Sequence, residues 1–327
     1  MTKTTPLWFV ALTAAACGTG PAGVEPSLAS ATVAVPVRIA TTAVPLNPED
    51  LAQTAIGGFS YAGGIEITST GLPAVHELSD VEIHSDGRLV AVSDGGYLFT
   101  ARLVLDETDR LTGITGAAVT ALADEGGRPV RGVASDAEGL TTLSNGDRLV
   151  SFERTHRIWL YPAAGGTPRP VPKPDAEFPE NAGMEALTAY AAAGPTAYLV
   201  GGEGGDVWLC SVSSSCRPTT LGRMVPPGFG LTGLAAYGNE GDLAMLARVY
   251  DPQQGNRISV KLIADAATDR PRLLDELTMA APLTRDNFEA LAIVPRPAGG
   301  IRVYLLSDDN GSQTQHTYLL AFDRTAP

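Results

Sequence analysis

Acidic side chains recur in this sequence at fixed points of a repeated pattern. Ser79-Asp80-Val81, Glu138-Gly139-Leu140, Glu185-Ala186-Leu187, Thr232-Gly233-Leu234 and Glu289-Ala290-Leu291 each open an apolar stretch with a small or acidic residue, a small one (Asp80 in the first case) and an aliphatic one. A second polar set closes the next apolar stretch of each repeat: Asp94, Glu153, Glu203, Arg248 and the run Asp308-Asp309-Asn310, with Arg154 directly after Glu153. If the heads of the first stretches and the ends of the second share one face, six or more acidic groups converge there. Crowded carboxylates raise one another's pKa values unless a cation sits among them. Carboxylate and amide oxygens are the ligands Ca²⁺ prefers. This reading places a divalent-ion site at that face, among acids that include Glu138, Glu185, Glu289, Asp94 and Asp308. Its alternative is a ring of solvated acidic turns, some glutamates bonding to the neighbouring repeat.

The elements that would position these groups follow from the spacing. The openings lie 59, 47, 47 and 57 residues apart, a period that signals repeated supersecondary units. Each unit reads as a β-meander. After Glu138 come Leu140–Leu143, a Ser144-Asn145-Gly146-Asp147 turn, then Arg148–Phe152 and Arg157–Tyr161. The strands are short, rich in Val, Ile, Leu and Tyr, and bounded by Gly, Asn, Asp or Pro. A meander at this period is a propeller blade, so the expected fold is an all-β propeller of five blades, with a sixth, weakly marked blade left open. The last unit supplies three strands; the stretch around Phe59–Ile67 provides the missing one and closes the ring. A β-sandwich is the competing architecture, but it has no reason to repeat the opening tripeptide.

Residues 1–17 read as a leader: Lys3 as the positive region, Leu7–Ala16 as the apolar region, Ala14-Ala15-Ala16 as the cleavage site and Cys17 next. This resembles a bacterial lipoprotein lipobox, which makes Cys17 the lipidated residue; ordinary signal cleavage is the alternative. Residues 18–50, rich in Ala, Pro, Thr and Val, read as a flexible tether, and 51–327 as the propeller domain. The location implied is the bacterial cell envelope, at the outer membrane, with the lipid as the only membrane contact. Cys210 and Cys216 remain, near facing strand ends of the third unit, where an exported chain permits a disulfide.

The net charge of −13 excludes a nucleic-acid footprint, which needs clustered basic residues. Nucleophile-elbow, His-Glu-x-x-His and Walker patterns are missing from the sequence. Gly228–Gly233 matches the letters of a dinucleotide fingerprint but opens a strand without βαβ context.

Four motifs, in order, resemble the phytase-like family, whose domain is described as having esterase-like activity. They are Leu78-Ser79-Asp80-Val81 with Val92-Ser93-Asp94; Ser135-Asp136-Ala137-Glu138-Gly139-Leu140 with Ser151-Phe152-Glu153-Arg154; Asn181-Ala182-Gly183-Met184-Glu185-Ala186-Leu187; and Asn287-Phe288-Glu289-Ala290-Leu291 with Leu306-Ser307-Asp308-Asp309-Asn310. The resemblance covers about residues 56–324. It implies a monomeric propeller hydrolysing a small-molecule phosphoester or other ester, assisted by Ca²⁺. In that reading Glu138, Glu185, Glu289 and Asp308 hold the metal, Glu153 or Glu203 is the base, and Arg154 and Arg248 steady the phosphate. Two rival readings stay open, a non-catalytic surface-binding propeller and a lactonase-like calcium-dependent esterase.

Overall fold

The computed structural model describes residues 33–69, 75–238, 241–297 and 299–325. Two strands, β1 (Val35–Pro36) and β2 (Ile39–Ala43), precede the short β3 (Ala55–Ile56) and the long β4 (Phe59–Ser69). Blade one is then β5 (Leu78–Ile83), β6 (Arg88–Ser93), β7 (Tyr97–Leu105) and β8 (Leu111–Ala121). Blade two is β9 (Ala137–Thr142), β10 (Arg148–Phe152), β11 (Arg157–Tyr161) and β12 (Arg169–Val171). Blade three is β13 (Ala186–Ala189), β14 (Ala197–Gly201), β15 (Val207–Ser211) and β16 (Ser214–Pro218). Blade four is β17 (Gly230–Tyr237), β18 (Asp242–Asp251), β19 (Gly255–Ala264) and β20 (Arg272–Met279). Blade five is β21 (Asn287–Pro295), β22 (Ile301–Asp308) and β23 (Tyr318–Arg324), with β4 as its fourth strand. Neighbouring strands pair antiparallel throughout, and β5, β9, β13, β17 and β21 are the inner strands.

Five apolar clusters fill the five interfaces between blades. Val92 and Phe152 pack between blades one and two, Leu160 and Tyr198 between two and three, and Leu199 and Met245 between three and four. Leu246 and Leu305 join four to five, while Leu306 and Phe99 join five back to one. Each sheet therefore buries both faces against its neighbours, and blade five meets blade one with no place for a sixth.

The ring closes where β4 pairs with β23, Ile65 opposite Leu319 and Tyr61 opposite Phe322. The expected tether enters the sheets earlier than its composition suggests. β1 pairs with β8 and β2 with β4, so among the described residues strand pairing already occurs at Val35–Ala43, inside the stretch read as tether. The physical reason is the run of Val, Ile and Thr there, which needs only an open sheet edge to become strand. The leader, with the cleavage site and Cys17, lies outside the described residues. Cys210 and Cys216 are bonded to each other across the β15–β16 hairpin.

Candidate metal centre at the channel mouth

The repeated tripeptide is a local device with a distinct task for each residue. In four blades the pairing register slips where the inner strand begins. It slips between Leu78 and Asp80, between Ala137 and Leu140, between Leu231 and Gly233, and between Phe288 and Ala290. Such bulges bend the strand and re-aim the extra residue, which frees Ser79, Glu138, Thr232 and Glu289 from the ladder's alternation. Glu185 stands immediately before β13. The middle residue is small because the next blade is close. A Cβ on Gly139 would lie 2.5 Å from Ser151 Oγ and 2.6 Å from Leu187 Cβ, and one on Gly233 3.0 Å from the Glu289 carbonyl oxygen. Asp80 is the exception, and it uses the contact. Its buried carboxylate accepts from its neighbour Val81 N at 2.8 Å and from Leu140 N of blade two at 2.7 Å. The third residues, Val81, Leu140, Leu187, Leu234 and Leu291, are buried in the interblade clusters.

The second strands β6, β10, β14 and β22 end at the same mouth and deliver Asp94, Glu153, Glu203 and Asp308. The oxygens of Asp94, Asp136 and Glu138 lie within 4.8 Å of one another. The remaining acids stand close enough to act on them electrostatically. Burial pushes Glu138 well above the ordinary carboxylate range, and repulsion from Glu185, Asp94 and Glu289 adds to it. Burial does the same to Glu185, reinforced by Glu289, Glu153 and Glu203. Asp94 is pushed up to about 7 by burial, although the Ser79 hydroxyl donates to it, with Asp136 and Glu289 raising it further. Glu153 also reaches about 7, through burial and the charge of Asp136. Asp308 is driven to about 9 by burial and by Glu289.

Two arginines temper this charge. Arg154, at a left-handed φ of 49°, bonds Asp136, and its side chain is 43% exposed. Arg248 Nη2 donates to Glu289 Oε1 at 2.5 Å, and Asn287 Nδ2 donates to the same oxygen at 3.0 Å. Glu203 is fixed through its backbone: its N–H reaches Gly183 O at 3.2 Å and its carbonyl accepts from Leu231 N at 3.0 Å.

The residues given metal or catalytic roles from the sequence, Glu138, Glu185, Glu289, Asp94, Asp308, Glu153, Glu203, Arg154 and Arg248, lie around this mouth. Sequence reasoning missed Asp136 as a site residue. The signal was present, since Asp136 precedes Glu138 by two positions inside a quoted motif, but it falls outside the tripeptide used to align the repeats. It also missed Asn287 and Glu77, whose charge reaches Asp94. Asp309, which the strand-end pattern placed at the mouth, has a structural task. It accepts from Glu77 N at 3.1 Å, Gly311 N at 3.0 Å and Thr317 Oγ1 at 2.9 Å, and pairs with His76 Nδ1 at 2.7 Å.

A five-bladed propeller with a carboxylate-lined mouth is the class that fold and site define. Residues 73–311 match the model of the phytase-like family, described as having the esterase-like activity of phytase, and the chain belongs to that family. No curated protein matches in sequence. Among solved structures, the chain is similar to the Malassezia sympodialis allergen Mala s 1. The identity is 15%, with 86% of this chain and 96% of that chain covered and a TM-score of 0.47. It is also similar to a putative gluconolactonase (15%, 79% and 77% covered, TM-score 0.45) and to a virginiamycin B lyase from Staphylococcus aureus (14%, 82% and 82% covered, TM-score 0.41).

The donor set fits a hard divalent cation. Three carboxylates converge within 4.8 Å, two of them buried, and further acids surround them, with Arg154 and Arg248 the arginines paired to acids of the mouth among the described residues. Oxygen-only donors of this kind select Ca²⁺ over softer metals.

Proposed function

We propose that this protein is a metal-assisted ester hydrolase working at the channel mouth, with phosphoesters as its first substrate class. The observation that carries the reading is the convergence of Asp94, Asp136 and Glu138 inside a larger ring of acids whose charge is not balanced locally. Those three residues would hold Ca²⁺, with Glu185, Glu289 and Asp308 completing the acidic surround. A bound divalent cation supplies polarisation of the phosphoryl oxygen and acidification of water.

The chain's own residues supply the rest. Burial and the charge of Asp136 raise Glu153 to about 7, which suits it to take the proton of an attacking water. Glu203 flanks the same mouth as the alternative base. Arg154 and Arg248 are anchored on Asp136 and Glu289, so their guanidinium groups are oriented before substrate arrives and can meet phosphate oxygens with their remaining N–H groups. We place the protein in the bacterial cell envelope, held by lipid on Cys17, in keeping with its leader sequence.

The test is phosphate release from phytate and from p-nitrophenyl phosphate, in calcium and in chelator, with Glu185→Gln alongside. Calcium-dependent release that the variant loses is the expected result. No release from either substrate under any condition would overturn the phosphoesterase reading. Turnover of lactones or aryl acetates alone would move the same site to carboxyl esters.

A further inference from the structure

Beside the acidic mouth, between blades three and four, lies an open cleft of about 590 Å³. Its walls include Phe178, Trp208 and Phe229, all half-buried, and Glu203. The rings are set in place without a ligand. His156 Nε2 lies 3.0 Å from the Pro179 carbonyl oxygen, and the His156 ring sits 5.3 Å from Phe178. Phe178 meets Trp208 edge-on at 5.8 Å, and the Arg257 guanidinium lies over the Phe229 ring at 5.6 Å. Glycines keep the floor open. A Cβ on Gly202 would stand 3.2 Å from Phe178 and 3.5 Å from Trp208, and one on Gly230 3.2 Å from Glu203 Cγ.

The cleft also reaches Glu203, the alternative base, which lines it. Behind its floor Gly183, whose carbonyl oxygen lies 3.6 Å from a Cβ built on Gly202, packs against Glu153 and His156. The charged side chains lining the cleft are Glu177, Glu203 and Asp206, with no Lys or Arg among them. An anionic group is repelled from such a surface, while a neutral ring gains both burial and aromatic contact there.

We propose that this cleft is a substrate subsite for a neutral aromatic or bulky apolar group on the alcohol side of the ester. This deepens the hydrolase reading and rests on it for the position of the reacting group. The phosphoryl end lies at the mouth near Arg154 and Arg248, and the ring lies against Phe178, Trp208 and Phe229.

Benzyl and ethyl phosphate, both with alkoxide leaving groups, test this on the full chain in calcium. The expected kcat/KM for benzyl phosphate exceeds that for ethyl phosphate by roughly 10- to 100-fold, the span that apolar pocket contacts give. Phe229→Ala should raise KM for benzyl phosphate roughly 10-fold, with a distinctly smaller change for ethyl phosphate. Equal kcat/KM for the two esters, or equal losses in the variant, would overturn the subsite. Calorimetric titration of benzylphosphonate against methylphosphonate gives a readout independent of turnover. Preferential 1:1 binding of benzylphosphonate, weakened by Phe229→Ala, upholds the subsite even if neither ester is hydrolysed, and that failure would then belong to the hydrolase reading. Equal binding of the two phosphonates, or binding of neither, overturns the subsite.

Discussion

The two ends of the propeller treat charge in opposite ways. At the end away from the mouth, Arg296 and Arg302 meet Asp109 and Asp323, two cations with two anions. Arg302 is 5% exposed in its side chain and grips Asp323 through Nε at 2.6 Å and Nη2 at 2.8 Å. Burial works against the charge on Asp323, yet its bonds to Arg302 and Arg296 outweigh burial and hold it below the usual aspartate value. At the mouth, Asp94, Asp136, Glu138, Glu153, Glu185, Glu203, Glu289 and Asp308 share Arg154 and Arg248. One end is a closed ion network that serves the fold. The other leaves acids unbalanced in a half-buried site, an arrangement that stabilises nothing by itself and is suited to a cation and a reaction.

The comparison can be broken most sharply by neutralising each end in turn. Glu138→Gln should lower calcium-dependent ester hydrolysis by about 100-fold or more and weaken calcium binding, as expected when a ligand to a catalytic metal is lost. The same variant should melt no lower than the parent in chelator, because a buried carboxyl that burial already holds protonated gives way to a neutral amide of the same size. A large drop in melting temperature there would mean the mouth is structural.

Arg302→Ala should do the reverse. Removing one partner of a buried pair costs about 3–5 kcal/mol, so the urea midpoint falls while calcium affinity is kept. Loss of calcium binding in this variant would erase the distinction between the two ends.

The pH dependence sharpens it further. In chelator, the folded chain keeps protons on Asp94, Glu153 and Asp308 that the unfolded chain would release, because their folded pKa values are raised. Their contribution to stability is therefore fully present below the ordinary carboxylate range. It is lost as pH rises through about 7 for Asp94 and Glu153 and about 9 for Asp308. Calcium should flatten that decline. Asp323 behaves oppositely: its depressed pKa gives stability above the ordinary aspartate value, lost as pH falls through the folded one. Urea midpoints from pH 5 to 9 that stay level in chelator would contradict the raised values at the mouth.

The smallest effect expected is at Asp80. Asp80→Asn turns one acceptor of the bonds to Val81 N and Leu140 N into a donor, costing about 1–3 kcal/mol through an unsatisfied buried group. Turnover per folded molecule should stay unchanged.

The inner strands were readable because one small residue recurs wherever a neighbouring inner strand approaches, as at Gly139 and Gly233. The outer strands were not. β12 is only Arg169–Val171 and β16 reads Ser-Ser-Cys-Arg-Pro, mostly exposed, with the Pro and charge that suit a sheet edge and no apolar alternation. β1 and β2 were read as tether because their strand character depends on partners, β8 and β4, that no local pattern announces. The site residues on the repeat were found, whereas Asp136 lies in the connection before β9 and Asn287 at the first position of β21, two residues ahead of their repeat glutamates, where only the assembled ring fixes the geometry. The aromatic cleft was hidden for the same reason, since Phe178, Trp208 and Phe229 are far apart in sequence and meet across two blades.

The seam between β4 and β23 has a consequence for how the molecule comes into being. Strand 59–69 is synthesised early, and its partner 318–324 emerges only after the four intervening blades. The last circle of contacts spans nearly the whole described chain, so closure should be a late and slow event in folding, as long-range pairings are. Until then β4 has an unpaired edge and Phe59 and Ile65, fully buried in the finished ring, lack their cover. A nascent or truncated chain is in that interval a sticky one, prone to pair with a second copy of itself, and reaching Tyr318 is what ends the danger.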